Sequence, residues 1–174
     1  MRIYSIITGS VFKAFALIFF ICAFPSCRSR KPVVENSSWS VIENKLGIKL
    51  DQYQDVNYYR EVSNWLGVPY KFGGNTRSGT DCSGLVTVVY EVIFGKKLPR
   101  QSAQQKVQSK PVENRKLQPG DLYFFNTSGK GVSHVGMHLS EGYFIHSSVQ
   151  KGVIVSNLRE AYYAKCFVGY GTFR

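Results

Sequence analysis

The sequence predicts an α+β fold, with helices in its first part and an antiparallel β-sheet in its second. Three observations lead there. Up to Gly95 the apolar residues recur at helical spacing or in dense runs. From Gly120 onward they alternate as strands do, and glycine-containing turns then separate the strand-like stretches at short intervals. With 174 residues, 44% hydrophobic and 14% aromatic content, the chain has enough material for one core but not for two sizeable ones, so a single folded domain is expected.

Taken in order, Arg2 and Lys13 precede a run from Ala14 to Phe24 that holds no charge. A spanning helix needs roughly 20 apolar residues, so this shorter run is read as a secretory signal over residues 1–26. It ends in Phe24-Pro25-Ser26-Cys27, where a small residue directly before a cysteine resembles the lipobox of bacterial lipoproteins. Cleavage there leaves Cys27 as a lipidated first residue, and several acyl chains hold a protein at a membrane because each buried methylene adds about 0.8 kcal/mol. Pro25 is unusual for that motif, which keeps ordinary secretion and an uncleaved anchor open. Residues 27–54 are expected to form the lipidated start and a polar tether, and residues 55–174 the domain.

Within the domain, apolar positions 58, 62, 65 and 66 fall on one helical face of the Asn57–Gly67 segment, with Gly67 placed to end the helix. A turn-rich loop, Gly73 to Thr80, leads to Asp81-Cys82-Ser83-Gly84, and the apolar run that follows predicts a buried helix ended by Gly95. Its β-branched residues also permit a strand, but about 13 uninterrupted residues exceed ordinary strand length. A short helix follows over Ser102 to Val107. Strands are predicted at Asp121 to Asn126, Val132 to Leu139, Tyr143 to Ser148, Val153 to Asn157 and Phe167 to Phe173.

The 22 basic residues outnumber the 11 acidic ones, for a net charge of +11, but Arg2, Lys13, Arg28, Arg30 and Lys31 precede residue 32 with no acid among them. The remaining excess suits polyanionic partners such as carboxylate-rich wall peptides and anionic lipids, and equally a soluble basic domain. No basic stripe interleaved with aromatics points to nucleic acid. The four cysteines form no disulfide framework: Cys22 lies in the signal, Cys27 at the lipid position, and Cys166 reads as a buried small hydrophobe.

Cys82 is different, because it stands in the predicted first turn of a helix, where free N–H groups and the macrodipole favour a thiolate. The three histidines, His134, His138 and His146, lie on two successive strands. His134 and His138 share a face but stand about 13 Å apart at roughly 3.3 Å per residue. If Ser140-Glu141-Gly142 is a three-residue hairpin loop with Gly142 left-handed, His146 falls diagonally beside His134 on the same face. A two- or four-residue loop without a bulge puts it on the opposite face. The expected arrangement is a low-pKa Cys82 thiol, His134 as its base and His146 holding the second ring nitrogen. A metal site built from these three residues is the rival, weakened by the lack of a nearby carboxylate or paired cysteine.

With these residues in view, the sequence resembles the NlpC family of papain-like cell-wall peptidases, closest to its small lipoprotein endopeptidases. The likeness runs over roughly residues 58–173 and rests on Gly67 to Gly74, Asp81 to Val86, Leu98-Pro99-Arg100, Pro119 to Leu122, His134-Val135-Gly136 and Phe144-Ile145-His146. The resemblance implies a papain-like fold, Cys82 as nucleophile, His134 as base and His146 as the third catalytic residue. It further implies Tyr70 beside the reacting centre as an oxyanion donor, and Asp81 and Ser83 as binders of a free amino terminus where a member cuts beside D-glutamate. Capping of the helix is the alternative role for that pair. Arg100 and His138 receive no fixed role. The implied reaction is hydrolysis of murein peptide amides without a cofactor, with the D-alanyl to meso-diaminopimelate cross-link favoured over the D-glutamyl bond of the stem. The expected setting is a monomeric, membrane-anchored lipoprotein of the bacterial envelope, facing periplasm or wall and acting on peptidoglycan peptides. A catalytically idle wall-associated lipoprotein and a papain-like lipid acyltransferase or amidase are the other readings.

Overall fold

The computed structural model describes residues 33–51 and 54–174. The expected signal and Cys27 lie outside the described residues. The chain runs through α1 (Val33–Leu46), α2 (Val56–Ser63), β1 (Asn75–Thr76), β2 (Gly79–Thr80), α3 (Cys82–Phe94), α4 (Ser102–Gln108), β3 (Lys110–Pro111), β4 (Leu122–Phe125), β5 (His134–Ser140), β6 (Tyr143–Ser148), β7 (Gly152–Asn157), α5 (Ala161–Cys166) and β8 (Phe167–Thr172). The expected α+β order is present. The segment expected to be a tether, however, holds α1, and the folded unit begins upstream of residue 55. Trp39, Ile42 and Leu46 supply a narrow apolar stripe that is buried in the core, with the Trp39 ring 5.7 Å from that of Tyr59. The surrounding Asn36, Ser37 and Ser38 made the stretch read as a linker.

α2 closes at Ser63, shorter than its pattern suggested, and a turn carries the chain to Gly67 at φ 78°. α3 has both ends defined locally. Asp81 caps it by accepting the Gly84 N–H at 2.7 Å, and Gly95, left-handed at φ 62°, closes it with its N–H on the Tyr90 carbonyl. Gly84 permits a close approach: a Cβ there would lie 2.1 Å from the Gly74 carbonyl oxygen. The two-residue strands β1, β2 and β3 and the short α5 are too brief to leave a periodic signal in the sequence.

Six strands form one antiparallel sheet in the order β3-β8-β4-β5-β6-β7. The strand alternation divides its side chains between two cores. Leu122, Phe124, Val135, Met137, Leu139 and Ile145 pack with the helices. Tyr123, Phe125 and Phe144 form a second, aromatic cluster with Phe167, Tyr170 and Tyr163. Burial on both faces makes the sheet a stiff platform rather than a half-wetted one.

The β5–β6 connection differs from the expected three-residue loop. Ser140 pairs with Tyr143, so the turn has two residues, Glu141 at φ 45° and Gly142 at φ 86°, both left-handed as such a turn requires. A bulge between His138 and Ser140 then inserts one residue and restores the parity that a bare two-residue turn would break. The Leu139 carbonyl at the irregularity is met from the helical layer by the Tyr59 hydroxyl at 2.8 Å, and the Tyr58 hydroxyl donates at 2.7 Å to His138 O, which also accepts the Gly120 N–H.

Both acceptors are deeply buried, so Tyr59→Phe is expected to cost roughly 1–3 kcal/mol, the penalty of an unmet buried polar group. Urea unfolding of the variant measures it; a midpoint equal to the parent's would show that the bulge does not depend on this bond.

Candidate active site

Cys82 is the first residue of α3, as its position after the Asp81 cap dictates. Its side chain packs at the edge of the helical core and faces the start of β5. The β5–β6 ladder runs only from Met137–Ile145 to Ser140–Tyr143. Beyond it the Val135 backbone N–H is free to turn to the Cys82 sulfur, where it favours the thiolate together with the N–H groups of Ser83 and Cys82 itself. Burial outweighs these donors and pushes the thiol up from its ordinary value, with the nearby Asp81 charge adding to the rise. The low-pKa thiol expected from helix position is therefore not what this environment produces, because desolvation exceeds the effect of the helix N-terminus.

His134 opens β5 and His146 lies within β6, both on the aromatic face. Their rings meet edge to face, with His134 Nε2 and His146 Nδ1 2.9 Å apart. Gly136 leaves the room for this pair, since a Cβ there would stand 2.6 Å from the Phe144 ring and 3.2 Å from His146 Cβ. His134 Nδ1 has no hydrogen-bond partner among the described residues. No hydrogen bond joins it to the Cys82 sulfur, so the contact expected between them is not formed. Burial lowers the His134 pKa to about 4 and holds that of His146 well below the usual histidine value, with the His134 charge as a second cause. At neutral pH the site is therefore a neutral thiol beside two neutral imidazoles.

Beyond His146 the chain of contacts continues. Its Nε2 lies 3.2 Å from Ser156 Oγ on β7 and 3.1 Å from the Tyr163 hydroxyl on α5. Neither residue was singled out in the sequence, which offers no signal for either: Ser156 is one serine in a strand, and α5 was not predicted.

The cleft beside Cys82, of about 540 Å³, is lined by Tyr70, Phe72, Asp81, Ser83, Arg100 and Ser133 among others. A second hollow of about 460 Å³ opens against His134, His146 and Tyr163. Tyr70 presents a hydroxyl with no partner among the described residues, kept protonated by burial and by the neighbouring Cys82 and Asp81. Phe72 is 89% exposed in the same cleft, an apolar surface that the sequence reading passed over.

Asp81 is fully engaged. One oxygen accepts from Gly84 N at 2.7 Å and Arg100 Nη1 at 2.8 Å; the other accepts from Gly73 N at 2.8 Å and Arg100 Nη2 at 2.7 Å. Ser83 Oγ adds a longer contact to Asp81 and itself accepts from Arg100 at 3.0 Å. Burial alone would raise the Asp81 pKa, but Arg100 and the amides hold it below the usual carboxylate value. The pair therefore acts as cap and clamp, and a substrate ammonium would have to displace Arg100 to reach it.

His138 is remote from this centre. It is buried against Tyr123, whose hydroxyl lies 2.8 Å from its Nδ1, and burial lowers its pKa to about 4, the neighbouring Asp121 and Arg174 charges acting in opposite senses. Cys166 ends α5 half-buried beside the aromatic cluster. Among the described residues, no three His, Cys, Asp or Glu side chains converge to hold a metal ion.

Three comparisons bear on this arrangement. The family model described as NlpC/P60 family matches residues 67–172. The "Probable endopeptidase NlpC" of Escherichia coli K12 is 43% identical over 108 residues, covering 62% of this chain and 70% of that protein. The "Murein DD-endopeptidase MepS/Murein LD-carboxypeptidase" of the same organism is 38% identical over 116 residues, covering 67% of this chain and 56% of the relative. A crystal structure of an NlpC/P60 family protein from Bacillus cereus ATCC 10987 superposes with a TM-score of 0.62 at 33% identity, over 67% of this chain and 39% of that one.

The lowered histidines couple folding to acidity. An unfolded chain regains the ordinary histidine pKa near 6.5, so between that pH and about 4 it binds protons that the native state does not. Stability is expected to fall as pH falls through this window, by up to roughly 3 kcal/mol for His138 alone. Urea unfolding at pH 7 and pH 4.5 measures the drop, and His138→Gln should shrink it; an undiminished drop in that variant would place the dependence elsewhere.

Proposed function

We propose, since this chain belongs to the NlpC/P60 family, that it is a peptidoglycan hydrolase: a cysteine endopeptidase that cuts amide bonds in murein peptides. The observations that support the reading are Cys82 at the α3 N-terminus with the Val135 N–H at its sulfur, and, on the residue before Val135, a His134 ring whose Nε2 lies 2.9 Å from His146 Nδ1. For His134 to take a proton at Nδ1 it must carry its own proton on Nε2 and donate it to His146 Nδ1. His134 then removes the Cys82 proton as the sulfur attacks the amide carbon, and His146 steadies the imidazolium that forms. His134 passes that proton to the departing amine, leaving a thioester on Cys82. A water deprotonated by His134 hydrolyses the thioester and restores the thiol. The Cys82 N–H and the Tyr70 hydroxyl are the donors available for the oxyanion.

Both charged groups in the cleft are spent on each other, Asp81 on Arg100. That favours the D-alanyl to meso-diaminopimelate cross-link over the stem bond, since the alternative needs a carboxylate free to bind an amino terminus. The relative named a murein DD-endopeptidase points the same way. The protein works in the bacterial cell envelope as a monomer. Its Phe24-Pro25-Ser26-Cys27 segment supplies the proposed lipid anchor at Cys27 after removal of residues 1–26.

The test is digestion of purified cross-linked peptidoglycan with mass analysis of the released muropeptides. The parent should convert dimers to monomers. Cys82→Ser and His134→Ala should each lose activity by orders of magnitude while remaining folded, with losses that do not multiply. His146→Ala should be milder and Cys166→Ser near the parent. A folded Cys82→Ser protein that opens cross-links at the parent's rate would refute the assignment.

A pH profile adds a separate check. Because His134 must be neutral to accept the thiol proton and its pKa lies at about 4, kcat/KM should rise with pH through about 4 and stay high through 6.5. An acid limb at 6.5 or above would contradict the neutral-pair mechanism.

A further inference from the structure

The base works only in one tautomeric form, and His134 alone does not set it. If His146 carried its proton on Nδ1, it would donate to His134 Nε2. His134 would then hold its proton on Nδ1, facing Cys82, and could not act as base. The productive chain needs His146 protonated on Nε2, a nitrogen in a site where His146 is only 1% exposed. A buried N–H of this kind needs an acceptor.

We infer that Ser156 and Tyr163 are positioning residues that accept the His146 Nε2–H and thereby hold His134 in its base-competent tautomer. The two hydroxyl oxygens lie at 3.2 and 3.1 Å from the same nitrogen. A bare ring nitrogen has one lone pair and needs only one donor, whereas an N–H can be shared between two acceptors, and near-equal, slightly long distances fit the shared bond. The hydroxyls also reach each other, so either can turn its own proton to its neighbour and leave a lone pair for the ring. Tyr163 is held for this by its ring, which packs edge-on to Phe144 at 5.0 Å, to His146 at 5.3 Å and to Phe125 at 5.5 Å. Ser156 is fixed by β7, in register opposite Phe144 of β6. Two neutral hydroxyls thus stand where a carboxylate would otherwise orient the relay, and they do so without adding a charge.

The inference extends the proposed mechanism and rests on it, but its primary test does not need turnover. The full-length chain carrying 15N-labelled histidine is examined by NMR at pH 7 as parent, Ser156→Ala, Tyr163→Phe and the double variant. The ring-nitrogen shifts of His146 report which nitrogen bears the proton. The parent and both single variants should show protonated Nε2, since one hydroxyl remains in each. The double variant should shift population to protonated Nδ1, and on cross-linked peptidoglycan its kcat should fall about 10- to 100-fold with KM within about twofold, more than the product of the single losses. Retention of the parental tautomer in the double variant overturns the inference, even if the enzyme proves active on murein. A changed tautomer in a protein whose parent cleaves no murein peptide instead upholds it and overturns the substrate assignment.

Discussion

The Asp81 carboxylate accepts from Gly84 in the first turn of α3, from Gly73 in the preceding loop and from both terminal nitrogens of Arg100. Those four bonds decide where Cys82 stands. The cap fixes the start of the helix, the Gly73 amide draws the loop bearing Tyr70 and Phe72 over it, and Arg100 brings in the segment that leads to α4. The close packing of Gly84 on the Gly74 carbonyl locks the same loop from its other side. The proposed nucleophile on this helix terminus is positioned only as well as the terminus, and a single ion, Asp81, restrains it through four bonds.

The histidines depend on a different constraint, the pairing of β5 with β6. A strand shifted by one residue turns every side chain to the opposite face. The bulge after His138 keeps His134 and His146 together, and hydroxyls of Tyr58 and Tyr59, 80 residues earlier in the chain, meet the carbonyls beside it. The helical layer therefore supports the site twice: it carries the thiol, and it stabilises the irregularity that aligns the proposed base.

Electrostatically the centre is neutral. Burial raises the thiol and lowers the imidazoles, and the members behind His134 are an imidazole and two hydroxyls rather than a carboxylate. Such a relay does not favour a standing thiolate–imidazolium pair. In the proposed mechanism proton transfer is then coupled to attack on the substrate, when the developing charges have partners. The one strong ion pair of the cleft, Asp81 with Arg100, is spent on structure.

Much of this was legible in the residues themselves. Asp81 before an apolar run and Gly95 after it define α3, because capping and termination involve atoms only a few residues apart. Alternation in the second half gives the five long strands, and it places His134 with Gly136 and His138 on one face. The histidine pair was reached through the right parity by the wrong device, a three-residue loop in place of a two-residue turn and a bulge. Local sequence determined which element bears each of the proposed site residues, since that depends on short-range hydrogen bonds and side-chain period. Only the tertiary structure decided that α1 joins the core, that Arg100 occupies Asp81, that Ser156 and Tyr163 stand behind His146, and that burial raises the Cys82 thiol. Those outcomes sum contacts and lost hydration over groups far apart in the chain, and no spacing along the sequence encodes that sum.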